Sequence, residues 1–157
     1  MDDDLRIEKI TCGSQDFSRL LAVLNLLDGE YVPPLSSYIN IDEYASKLVK
    51  RAEVWIASTE LEDVGVVAFY ANNSATKEAF ISTIGVIPSF RGKGLGLKLI
   101  EKAAQIAKDR GMLYLALEVS GDNVSAINLY ARCGFKRHKD AGVKTYEKSL
   151  IMRKHLS

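Results

Sequence analysis

The sequence predicts an α/β chain (α+β mixed): one mixed, mostly antiparallel sheet of about seven strands flanked by about four helices. Three observations carry this. Apolar periodicity alternates between strand and helix repeats in the order β-α-α-β-β-β-α-β-α-β-β. The three central strands are joined by polar turns, the signature of an antiparallel meander. After them, Pro88-Ser89-Phe90-Arg91-Gly92-Lys93-Gly94-Leu95-Gly96 carries an apolar strand into the amphipathic run Leu97 to Arg110.

Each element has its own signal. Leu5 to Ile10 alternates apolar and charged residues and reads as a first strand. Ser14-Gln15-Asp16-Phe17 opens a helix with Leu20, Leu21, Leu24 and Leu27 at helical spacing, and Asp28-Gly29 ends it. The prolines exclude Pro33-Pro34-Leu35-Ser36-Ser37 from regular structure. A second helix starts near Asp42 and carries Tyr44, Ala45, Leu48 and Val49. Val54 to Ala57 and Val64 to Tyr70 are strands joined by Glu60-Leu61-Glu62-Asp63, and Ala79 to Val86 follows the turn Asn72-Asn73-Ser74. Gly111 caps the long helix, and Leu113 to Val119 is the next strand. Asp122-Asn123 begins a shorter helix to Arg132, ended by Gly134. Phe135 to Arg137 and Lys144 to Met152 are the closing strands.

Composition narrows the function classes. A chain of 157 residues is expected to form a single domain over 1–157. Apolar content of 47% suits a globular protein, and no apolar run approaches the ~18 residues of a membrane span. A net charge of +1 gives no electrostatic case for nucleic acid or an anionic membrane. The runs Lys136-Arg137-His138-Lys139 and Arg153-Lys154-His155 read as solvated surface. The start Met1-Asp2-Asp3-Asp4 argues against a secretory or organellar presequence. Cys12 and Cys133 are too few and too distant for a zinc site or disulfide scaffold, so no metal is expected and a reducing cytoplasm is the simplest compartment. Cys133, just before Gly134, reads as a small buried thiol.

The glycine-rich turn carries the chemistry. It leaves several backbone N–H groups unpaired at a helix start, and glycines remove the Cβ atoms that would hold an anion away. The helix dipole adds roughly half a positive charge there, so the turn favours phosphate, and a pyrophosphate-bearing ligand is expected. Spacing excludes two nucleotide loops. Gly92, Gly94 and Gly96 run G-x-G-x-G rather than G-x-G-x-x-G, and Lys93 precedes Gly94 rather than Ser or Thr. The pattern Val86-x-Pro88-x-x-Arg91-Gly92-x-Gly94-x-Gly96 instead resembles the coenzyme A loop of the GCN5-related N-acetyltransferases (GNAT). A second segment, Asn123-x-x-Ala126-x-x-Leu129-Tyr130-x-x-x-Gly134-Phe135, resembles that family's other signature without a gap and at the usual distance.

The resemblance implies a GNAT fold, acetyl-CoA as co-substrate, and a parallel pair formed by the strand ending at Val86 and the strand from Leu113. In relatives these two strands splay and admit the acyl-pantetheine arm. Loop amides corresponding to Arg91, Gly92, Lys93, Gly94, Leu95 and Gly96 would bind the pyrophosphate. The strand around Thr83, Ile84 and Val86 would pair with the pantetheine amides, and a break in its ladder near Val86 would leave an N–H for the thioester carbonyl. Asn123 either contacts the arm or caps its helix. Tyr130 is given the general-acid role toward the departing thiolate. A thiol near pKa 8.5 and a phenol near 10 make full transfer uphill by about 2 kcal/mol, so concerted donation or a hydrogen bond is favoured.

Glu118 is the candidate base. In Leu113 to Val119 the leucines face one way, and Tyr114, Ala116 and Glu118 the other. The placement is similar to ribosomal-protein alanine acetyltransferases, except that Ser120 stands where those relatives often carry arginine; a carboxylate merely paired with a lysine is equally compatible. Deprotonating a lysine-like acceptor costs about 4.6 kcal/mol at pH 7, and an α-amino group about 1.4. The segment Gly29 to Tyr38 is expected on the acceptor side, where Tyr31 and Tyr38 either line the pocket or pin the loop. The basic surroundings of His138 argue for a surface position. The leading expectation is acetyl transfer from acetyl-CoA directly to a primary amine of a small metabolite in a ternary complex. A peptide or protein N-terminal acetyltransferase, or a non-catalytic acyl-CoA sensor, are the alternatives. The final strand offers an edge that relatives use in homodimers.

Overall fold

A computed structural model describes residues 5–138 and 148–157. Strand β1 (Arg6–Lys9) leads into helices α1 (Ser14–Leu27) and α2 (Ile41–Arg51), then the meander β2 (Glu53–Ser58), β3 (Asp63–Tyr70) and β4 (Glu78–Val86). Helix α3 (Leu95–Asp109), strand β5 (Tyr114–Ser120), helix α4 (Val124–Arg132) and strands β6 (Lys136–Arg137) and β7 (Ser149–His155) follow. The described strands form one sheet ordered β1-β2-β3-β4-β5-β7-β6, with β4 and β5 parallel and every other pair antiparallel.

Local chemistry explains the elements. The Asn40 side chain caps α2 by accepting from Glu43 N at 3.0 Å, with Asp42 and Glu43 in the first turn and Lys50 and Arg51 in the last. Strand β3 is buried on both sides at Val64, Val66, Val67, Ala68 and Phe69, as a central strand covered on both faces requires. Two glycines show the two layers. A Cβ on Gly85 would meet Leu27 of α1, whereas one on Gly65 would meet Leu99 of α3. Gly111 sits at φ 83, closing α3 in the left-handed conformation.

Three expectations are corrected. The closing strand lies at Ser149–His155 rather than Lys144 to Met152, because all seven residues of β5 pair with it; residues 144–147 lie outside the described residues. Arg153 is therefore a strand residue rather than solvated surface. Its guanidinium lies 3.9 Å over the Tyr114 ring and 3.4 Å from Glu78. Within the proline segment, Leu35–Ser37 forms a single 3-10 turn that buries Leu35.

Candidate active site

The β4–β5 ladder is short. It joins Glu78–Ile81 to Tyr114–Leu117 and ends there. Beyond it, β4 continues along β3 to the pair Gly65↔Val86, and β5 continues along β7 to Ser120↔Ser149. The two strands thus part, and Ser82–Val86 faces Glu118–Ser120 across a gap. Alternate main-chain groups of β4 face that gap without a strand partner.

The register irregularity in β4 falls at Ser82, between the pairs Phe69↔Ile81 and Ala68↔Thr83, not near Val86 as expected. The edge opens because β5 departs, while the ladder to β3 runs on through Val86. The extra residue also shifts the alternation, so that Phe80, Thr83 and Gly85 all face α1 and α2. Across the gap, the register puts Tyr114, Ala116 and Glu118 on that same face, and Leu115 and Leu117 enter the core on the other.

At the end of β4, one helical turn (Pro88–Phe90) leads into the glycine loop. Gly92 and Gly94 adopt φ 77 and 80, where an L side chain is strained. Among the described residues, none of the six N–H groups from Gly92 to Leu97 has a protein partner; the first paired amide is Lys98 N, donating to Gly94 O at 3.1 Å. The first turn of α3 holds no acidic residue to compete for them. Gly96 also packs closely, since a Cβ there would lie 3.2 Å from the Leu129 side chain of α4, which would have to shift. Two side chains of the loop have partners of their own. Lys93 Nζ lies 4.9 Å from the Phe90 ring centroid, and Arg91 Nε donates to Val86 O at 3.0 Å. Ile84 and Val86 lie on β4 beyond the last β4–β5 pair, with Val86 buried.

Tyr130 reaches this region from α4 and is buried, with its ring 6.0 Å from that of Phe135. Among the described residues its hydroxyl has no hydrogen-bond partner. Burial pushes its pKa up to about 12, with a smaller contribution from Cys133. Asn123 is the N-cap of α4, accepting from Ala126 N at 3.1 Å. Glu118 stands one residue past the last β4–β5 pair, half-buried, and accepts a hydrogen bond from the Ser149 hydroxyl. Cys133 is buried as expected, whereas Cys12 is exposed and donates to Val49 O at 3.3 Å. His138 anchors β6 through its main chain, donating to Ile151 O at 2.8 Å. Among the described residues no group of three or more His, Cys, Asp or Glu could hold a metal ion.

The segment between α1 and α2 covers the opposite rim. Tyr31 accepts from Thr83 Oγ1 at 2.9 Å, and its phenol lies where a Gly85 side chain would otherwise project. Its pKa is raised well above the ordinary phenol range, by burial first and then by the nearby phenols of Tyr44, Tyr130 and Tyr38. Tyr31, in the segment that follows α1, and Tyr130, on α4, thus belong to one group of phenols. Tyr38 is 52% exposed at the rim. The sequence reading missed two contacts of this cluster: the Tyr44 hydroxyl bonded to Ser82, and the side chain of Thr83, a residue it named only for its main chain. Tyr44 sat at core-facing helical spacing, and only the position of the bulge reveals that its hydroxyl meets a strand.

Similarity to known proteins agrees with this geometry. The model of the family described as "Acetyltransferase (GNAT) family" matches residues 20–135. An uncharacterized N-acetyltransferase, MJ1207, of Methanocaldococcus jannaschii is 37% identical over 99 residues, covering 59% of this chain and 44% of the relative. A thialysine N-epsilon-acetyltransferase of Mus musculus is 33% identical over 70 residues, covering 45% and 41%. The chain thus spans less than half the length of these curated relatives. The crystal structure of a GNAT family acetyltransferase from Elizabethkingia anophelis with acetyl-CoA bound superposes with a TM-score of 0.70 at 17% identity, covering 98% of this chain and 99% of that one. With its matched region, sheet order and parted central strands, the chain belongs to the acetyltransferase (GNAT) family.

Proposed function

We propose that the chain is an N-acetyltransferase that uses acetyl-CoA and acylates a primary amine of a small metabolite in a ternary complex. The observation that carries this is the row of six unpartnered amides at the start of α3, beside a β4 edge that β5 has left open. The residues present fit such a co-substrate. The amides of Gly92 to Leu97 suit a diphosphate, and the free edge of Ser82–Val86 suits an extended, amide-bearing arm. When bound, acetyl-CoA supplies an acyl group already activated as a thioester.

The chain's own residues then have distinct roles. Tyr130 holds its proton throughout the working pH range. With its phenol pushed up to about 12 and a free thiol near 8.5, full transfer is uphill by roughly 5 kcal/mol. Burial therefore favours donation of a hydrogen bond to developing negative charge over outright protonation. Glu118, which accepts a hydrogen bond from Ser149, takes a proton from the amine directly or through water. Tyr31, Thr83 and the exposed Tyr38 frame the acceptor side. A small amine is supported by the thialysine-acetylating relative. A peptide amine is the second reading, favoured by Glu118 at the edge of the gap.

Release of free thiol from acetyl-CoA, measured across a panel of small amines, amino sugars and peptides, tests the proposal. Turnover with a small amine supports it, and turnover with peptides alone selects the second reading. Binding of acetyl-CoA without turnover of any amine would leave a sensor module instead.

A further inference from the structure

Arg91 opens the glycine loop, yet its guanidinium points back along the fold. Nε donates to Val86 O at 3.0 Å, and Nη2 lies 3.1 Å from the Glu30 carboxylate. Glu30 belongs to the segment between α1 and α2 on the far rim of the gap. The next residue, Tyr31, is itself fastened to β4 through Thr83 and lies over Gly85. That segment is also closed on itself, because Asp28 accepts from Ser36 N at 2.8 Å and from the Ser36 hydroxyl. Consecutive residues of one closed loop thus hold the end of β4 and the first residue of the glycine loop.

We propose that the Glu30–Arg91 pair couples the two rims: Glu30 is a positioning residue through which occupancy of the glycine loop fixes the acceptor-side segment 28–38. This rests on the glycine loop being the co-substrate site. An anion held by the amides adjoining Arg91 fixes the backbone from which its guanidinium reaches Glu30, so the two contacts are thermodynamically linked, and the linkage is reciprocal. The pair is 49% and 38% exposed, which limits its effect to about two- to fivefold.

Hydrogen exchange on the full chain, with and without coenzyme A, tests the coupling. In the parent protein, coenzyme A slows exchange both at Gly92 to Leu97 and at 28–38. In Glu30→Gln the slowing persists at the glycine loop and is lost at 28–38. Without any ligand, Glu30→Gln and Arg91→Gln each quicken exchange at 28–38 about two- to fivefold, and the double variant does no more than either alone. Equal slowing of 28–38 in Glu30→Gln, or none in the parent while the glycine loop is slowed, overturns the coupling. If coenzyme A slows neither region, the co-substrate reading falls and the coupling with it; the ligand-free variants then show whether the contact between the rims was real.

Discussion

The two rims of the gap are built by different means. The α3 rim is made of main chain: two glycines in the left-handed conformation lead into a row of six amides without protein partners among the described residues, and the side chains of Arg91 and Lys93 are engaged with Val86 and Phe90. The α1–α2 rim is made of side chains: Tyr31, Tyr44, Ser82 and Thr83 interlock by hydroxyl contacts between segments far apart in sequence. Binding by amides tolerates a change of side chain but not of backbone conformation. Binding by hydroxyls does the opposite. One rim is therefore suited to an invariant ligand and the other to a variable one, with Tyr130 and Glu118 between them.

That contrast can be broken in several places. The largest effect belongs to the residue between the rims. Tyr130→Phe is expected to lower turnover about a hundredfold in steady-state thiol release, with acetyl-CoA affinity by calorimetry unchanged. Loss of affinity with turnover preserved would assign Tyr130 to binding. Gly94→Val forces a β-branched residue to φ 80 and is expected to weaken acetyl-CoA binding about tenfold, by costing 1–3 kcal/mol, roughly, in backbone strain. The same valine at Gly13, where φ is −65 and a Cβ meets nothing, should leave affinity alone.

On the other rim, Gly85→Ala places a Cβ 2.9 Å from the Tyr31 hydroxyl and 3.0 Å from Leu27. Chemical denaturation should show a loss of about 1–3 kcal/mol, and acceptor KM should rise. Tyr31→Phe removes only the Thr83 hydrogen bond, a loss of about 1 kcal/mol on the same assay. The smallest signal is the titration of Tyr130. Its folded pKa of about 12 stands above the roughly 10 of the unfolded chain. Its contribution to stability is therefore complete below pH ~10 and is lost as pH rises through 12. The difference in tyrosinate absorbance between the parent and Tyr130→Phe should appear near pH 12; appearance near pH 10 would show an exposed phenol.

The sequence made one rim legible and not the other for a physical reason. Gly92, Gly94 and the helix start act locally, so spacing alone separates this loop from other phosphate loops. The segment from Asn123 to Phe135 is equally local, although Asn123 is observed in its capping role. The α1–α2 rim depends on the Ser82 bulge, which shifts which residues of β4 face Tyr31 and Tyr44. No local pattern announces a single inserted residue inside an apolar strand. The C-terminal strand was displaced for a related reason. Arg153 looked like surface charge until its pairing with β5 set it over Tyr114.

The most direct test of the central claim is an amide NMR titration comparing coenzyme A with pantetheine, which carries the same arm without the diphosphate. Coenzyme A should shift the amide resonances of Gly92 to Leu97 saturably, whereas pantetheine at equal concentration should leave them in place. Unmoved resonances at saturating coenzyme A, or equal shifts with pantetheine, would contradict the account.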